Sequence, residues 1–165
     1  MHSDFKELLS VLNAHRVEYL VVGAHAVSIY AQPRATKDLD ILVKADAENA
    51  KAVFAALAEF GAPLQGLTSA DFAVSGPFFR MGSEPVGVDI LTEIPGVQFD
   101  EAWLRRVEAI VDPASGLTAS FIARDDLLAA KRTSGRRQDL ADVEAIEKAL
   151  ESQQRKPSKT NPEPT

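Results

Sequence analysis

The stretch Asp38-Leu39-Asp40-Ile41-Leu42-Val43 constrains this chain more than any other. In a strand, successive side chains point to opposite faces, and residues two apart share one face about 6.5 to 7 Å apart along the backbone. Leu39, Ile41 and Val43 therefore predict a face turned into a core, and Asp38 and Asp40 predict two carboxylates together on the other. Two ionised carboxylates about 5 Å apart repel by roughly 3 kcal/mol at an effective dielectric near 20. A fold accepts that cost if the pair faces water, shares a proton or closes on a cation. Hard oxygen donors without His or Cys suit magnesium. Asp89 breaks into the apolar run Val86 to Leu91 in the same way, so a third carboxylate from a neighbouring strand could join the first two over one or two metal ions. The plainer alternative is that strand-end aspartates cap turns or face solvent.

The rest of the chain supplies elements around this strand. Ser3 reads as the N-cap of a helix with Phe5, Leu8, Leu9 and Leu12 on one face. Residues 19–23 read as a short strand ended by Gly23, followed by a brief helix that Pro33 stops. A helix runs from Asp46 to Phe60 and ends at Gly61. Residues 77–81 and 86–94 predict two antiparallel strands joined by a turn over Gly82 to Pro85. A short helix over Phe99 to Arg105 carries Trp103, read as core packing, and residues 107–111 and 117–123 read as further strands. Helices over Arg124–Thr133 and Arg137 to about Ser152 close the order. The pattern predicts one α+β domain over residues 1–152, a mixed β-sheet flanked by helices with two of them C-terminal. Residues 153–165, with three prolines and little to bury, read as a disordered tail.

Composition narrows the function classes. The 165 residues contain no cysteine, which excludes disulfides and thiolate metal sites. A formal net charge of −6 argues against broad electrostatic capture of nucleic acid, although Lys131, Arg132, Arg136 and Arg137 form a local basic patch able to hold a phosphate. No apolar run approaches the roughly 20 residues that span a bilayer, and the opening residues lack the pattern of a secretory signal, so a cytoplasmic protein is expected.

The segment from Tyr19 to Val43 resembles the start of the DNA polymerase beta-like nucleotidyltransferase superfamily. More closely it is similar to the small bacterial branch that includes AbiEii-type toxins. In those proteins a strand ends in Gly-Gly or Gly-Ser, then come a helix, an Arg-x-Thr-x-Asp stretch and an Asp-x-Asp strand. Arg34, Thr36, Asp38 and Asp40 fit that order, Asp89 stands for the later third carboxylate, and Lys131, Arg136 and Asp139 match the C-terminal signature. One position departs: Gly23 is followed by Ala24, so the hydroxyl that would hold a phosphate is missing.

The resemblance implies a nucleotidyltransferase fold that binds a nucleoside triphosphate, such as ATP, through two Mg2+ ions, with Mn2+ as a substitute. Asp38, Asp40 and Asp89 would be the metal ligands and catalytic carboxylates. Gly23, Ala24, Arg34, Thr36, Lys131, Arg136 and Asp139 would contact the nucleotide. A nucleoside monophosphate would pass to an acceptor, a tRNA or other RNA end first and a protein hydroxyl next, in a toxin–antitoxin or defence setting. A non-catalytic nucleotide- or partner-binding module of the same fold is the alternative, and a two-metal nuclease ranks below both. His25 and Lys37 are weaker candidates for lining the site.

Overall fold

A computed structural model describes residues 1–83 and 86–156. Helix α1 (Ser3–Ala14) buries Phe5, Leu8, Leu9 and Leu12, the three- and four-residue spacing of a helix stripe. Its cap is not the expected Ser3. His2 takes that position, its Nδ1 accepting the Asp4 amide at 3.1 Å, while its carbonyl accepts the amides of Phe5 and Lys6. Ser3 thus lies inside the first turn.

The remaining elements are β1 (Tyr19–Val22), α2 (Gly23–Tyr30), β2 (Asp38–Val43), α3 (Ala47–Phe60), β3 (Phe78–Ser83), β4 (Val86–Leu91), α4 (Phe99–Arg105), β5 (Val107–Asp112), β6 (Leu117–Phe121), α5 (Arg124–Ser134) and α6 (Arg137–Gln154). A 3-10 turn over Ser69–Phe72, unforeseen in the irregular middle, buries Phe72 behind a capping box from Thr68 and Asp71. β4 stops at Leu91, three residues before the expected end. Thr92 is buried there and pins the chain, accepting the Gly76 amide at 3.1 Å and donating to the Pro77 carbonyl at 2.7 Å. α6 continues through Gln154, two residues beyond the expected boundary at Ser152. The rest of the expected tail from residue 157, and Glu84 and Pro85 of the expected turn, lie outside the described residues.

The six strands form one mixed sheet in the order β3-β4-β2-β1-β6-β5. β2 runs antiparallel to β1 and parallel to β4, while β3 and β4 form the expected antiparallel pair. Leu39, Ile41 and Val43 of β2 are fully buried. Each contributes about 1.5 to 3 kcal/mol of apolar burial, and together they forbid a one-residue slip that would turn the carboxylates inward. α1 packs with α3, whereas α5, α6 and α2 pack with one another. This α+β architecture is the one that the alternation of elements implies. It leaves the acid-bearing face of β2 and β4 open toward α5.

Candidate active site

Register decides which acids meet. β2 and β4 pair with Asp40 opposite Asp89 and Asp38 opposite Gly87, so all three expected carboxylates lie on one face of two adjacent strands. The pairing of β1 with β2 sets Val22 opposite Asp40, which brings the strand-to-helix junction at Gly23 beside the same carboxylate. Burial, followed by the neighbouring charge of Asp89 and a hydrogen bond with it, pushes the Asp40 carboxyl up to about 6 from 3.8, and Lys131 pulls it the other way. An acid so placed is short of positive charge.

Gly23 is fixed by this packing. Its φ is +66°, and a Cβ there would lie 2.1 Å from Oδ2 of Asp40. Glycine lets the backbone turn from β1 into α2 and lets the carboxylate rest against the bare Cα. Gly23→Ala is expected to destabilise the fold by about 2 to 3 kcal/mol, from the left-handed backbone and the displaced Asp40 together. Urea unfolding measures this. A loss under about 0.5 kcal/mol, the range of a neutral surface change, would contradict it.

Arg80 was not foreseen, and it sits in the acidic row. Its Nη1 donates to both oxygens of Asp89 at 3.0 and 2.9 Å, and its Nη2 donates to Asp38 at 3.2 Å. The β3–β4 pairing puts Arg80 directly opposite Asp89. The expected turn over Gly82 to Pro85 would have set residue 80 opposite 87, so the sequence carried no signal for this contact.

Across the cleft stands a second cluster. Lys131 of α5 is buried, with Nζ 2.8 Å from Asp142 and 3.3 Å from Asp139 of α6. Arg34 reaches Asp142 through two nitrogens at 3.0 and 3.1 Å, and Gln138 adds a bond at 3.1 Å. Arg136 meets Asp139 at 2.7 Å. Three cations thus surround two carboxylates, with a surplus of positive charge. Gly23, Asp40, Lys131, Arg136 and Asp139 all line one cleft. Arg34, expected at a phosphate, pairs here with the buried Asp142. Thr36 accepts the Asp38 amide at 3.3 Å and donates to the Asp38 carbonyl at 3.2 Å, so it sets the backbone that presents Asp38. His25 packs edge-on against Phe5 at 5.6 Å, and burial lowers its pKa. Trp103 stacks on Phe99 and packs against the core, as expected.

Burial alone would raise Asp139, but hydrogen bonds from Arg136, Ser134 and Lys131 outweigh it and bring the carboxyl down to about 2. Asp142 is lowered by the same balance, its burial opposed by Lys131 and Arg34. A group with a depressed folded value stabilises fully above its unfolded pKa, here 3.8, and that contribution disappears as pH falls toward 2. The shift corresponds to roughly 2 to 3 kcal/mol. Between about pH 5 and pH 2.5 the wild type should therefore lose more stability to urea than Asp139→Asn does. Equal losses would contradict this account.

Donor type and facing suit a hard divalent cation at Asp38, Asp40 and Asp89, because all three offer carboxylate oxygens on one face and the half-buried Asp40 lacks full compensation. Among the described residues, however, no group of three His, Cys, Asp or Glu side chains already stands as a ligand cage. No described helix is long and apolar enough to cross a membrane.

Comparison with known proteins agrees with this geometry at the level of the family. No curated protein matches the chain. A family model described as "Nucleotidyltransferase of unknown function (DUF6036)" matches residues 2–152, which takes in every residue of both clusters. The chain belongs to that nucleotidyltransferase family.

Proposed function

We propose that this protein is a magnesium-dependent nucleotidyltransferase that moves a nucleoside monophosphate from a nucleoside triphosphate to an acceptor hydroxyl. One observation carries the reading: three carboxylates share a face of β2 and β4, with the Gly23 junction beside Asp40 and the Lys131–Arg136 cluster across the same cleft. Membership of the family supports the reaction class.

Asp38, Asp40 and Asp89 would hold two Mg2+ ions, or Mn2+ in their place. Bound there, the metal supplies charge neutralisation for the triphosphate and lowers the proton affinity of the acceptor hydroxyl. The chain's own residues do the rest. Amides at the start of α2 offer donors to a phosphate, although Ala24 adds no hydroxyl. Lys131 spends two of its three N–H donors on Asp142 and Asp139, which leaves one for a phosphate oxygen and fixes the ammonium in place. Arg136, largely exposed on its solvent side, extends that positive surface. The acceptor oxygen bonds to the α-phosphorus, the bond to the bridging oxygen breaks, and pyrophosphate leaves with the electron pair. Asp89 takes the hydroxyl proton. Positioning and preorganised charge provide the acceleration.

RNA ends, tRNA among them, are the first acceptor and a protein hydroxyl the second. A toxin–antitoxin or defence role rests only on the sequence resemblance to AbiEii-type proteins. The test incubates the protein with each α-labelled triphosphate, magnesium and either total RNA or a protein extract. Label on a macromolecule, lost in Asp40→Asn, supports the reading. Ala24 in place of a hydroxyl residue favours a second reading, a module that binds nucleotide without turning it over. Tight triphosphate binding with no transfer to any acceptor would select it.

A further inference from the structure

We propose that Arg80 is an internal competitor for the metal, a side chain whose guanidinium occupies the faces of Asp38 and Asp89 that a divalent ion requires, and that it swings out before the acidic row takes its full complement. This rests on the metal-dependent reading of the site.

Three observations converge on Arg80. First, its contacts are those of a surrogate cation. One nitrogen bridges both oxygens of Asp89 and the other reaches Asp38, so a single planar fork joins carboxylates from two adjacent strands. Lone pairs directed at a guanidinium are not available to an ion. Second, the space for the bridge is built in. Gly87 lies opposite Asp38, and a Cβ on it would come within 2.6 Å of Asp38 Oδ1 and 2.9 Å of Arg80 Nη2. The contact thus depends on a missing side chain rather than on an unusual backbone. Third, the bridge is partly open to solvent. The Arg80 side chain is 46 % exposed on a strand at the edge of the sheet, whereas Asp89 beneath it is 18 % exposed. The guanidinium can rotate into solvent while the acids stay fixed in the sheet. Asp40 lies outside the Arg80 bridge, which joins Asp38 and Asp89, and lines the cleft.

The consequence is an ordered loading. An ion first meets Asp40, and the positions on Asp38 and Asp89 open only when Arg80 leaves. An incoming triphosphate offers the freed guanidinium new oxygens, which couples nucleotide arrival to metal arrival.

The experiment titrates Mn2+ alone, without triphosphate, into the full chain at fixed ionic strength and follows free Mn2+ by electron paramagnetic resonance. Wild type, Arg80→Gln and Arg80→Lys are compared, with circular dichroism to show that each is folded. Arg80→Gln is expected to bind Mn2+ about tenfold tighter than wild type, within the usual range of coupling between sites. Arg80→Lys should fall between them, since an ammonium keeps the charge but cannot bridge both acids, and it serves alone if Arg80→Gln does not fold. Adding Asp40→Asn to Arg80→Gln should abolish the gain, which locates it in the acidic row. Equal or weaker binding by the Arg80 variants overturns the proposal while leaving the metal site standing. Absence of binding in every variant overturns both.

Discussion

Replacing Lys131 by methionine is expected to destabilise the protein by about 3 kcal/mol, with a fall in melting temperature of roughly 6 to 12 °C for a domain of this size. The cost is not a lost contact alone. Asp139 and Asp142 are each under 5 % exposed, and the ammonium between them compensates both. Methionine fills similar space and leaves two buried carboxylates with less positive charge than they need. Arg136 and Arg34 still hold one each, which keeps the loss near the lower end of what breaking a buried ion pair costs. Adding Asp142→Asn should recover part of the stability, because one of the two carboxylates that shared the ammonium is then neutral. Urea unfolding of the two single variants and the double variant closes the cycle. A Lys131→Met protein as stable as wild type would mean that the ammonium is no part of the scaffold. The same substitution also removes the donor proposed to meet a phosphate, so loss of activity in it would not separate the two roles.

Asp40→Asn separates them. Its expected effect on transfer is a loss on the order of 10²- to 10³-fold or more, the scale of removing a group that stabilises developing charge. Its expected effect on folding has the opposite sign. Asp40 has its carboxyl raised to about 6, against 3.8 when unfolded, so its contribution to stability is complete below about pH 4 and lost as pH rises through 6. At neutral pH in metal-free buffer the ionised carboxylate therefore costs stability. Asparagine carries no charge and should return about 1 to 3 kcal/mol of it. A fold sacrifices stability of this kind at sites where function demands a particular charge. Urea unfolding in chelator, beside the transfer assay, reads both. A variant that lost stability and activity together would make Asp40 a structural residue instead.

Much of this site could be read from residue order, for a physical reason. Strand alternation leaves no choice about Leu39, Ile41 and Val43, and with them buried the faces of Asp38 and Asp40 follow. Asp89 could be added because an acid between Val88 and Ile90 has only the opposite face to use. Lys131 is a charge among Leu127, Leu128 and Ala130, a setting that marks it in the sequence, and it is buried. What pairs with what was less accessible. Arg34 precedes the acidic strand, so a phosphate contact was the natural expectation. Only the packing of α6 beside α2 brings Asp142 within reach of it. Arg80 was not accessible, because the expected turn over Gly82 to Pro85 pairs residue 80 with 87, and only the observed register sets it opposite Asp89. Ser3 lost the cap to His2 because a ring nitrogen one residue earlier reaches the Asp4 amide.

The most direct measurement compares two labels on one triphosphate in the presence of magnesium and RNA. Transfer of the nucleotide predicts that α-label appears on the acceptor, that γ-label never does and is released as pyrophosphate, and that both signals vanish in Asp40→Asn. Label from the γ position on the acceptor, or γ-label freed as orthophosphate with nothing attached to any acceptor, would contradict the assignment of Asp38, Asp40 and Asp89 to nucleotidyl transfer.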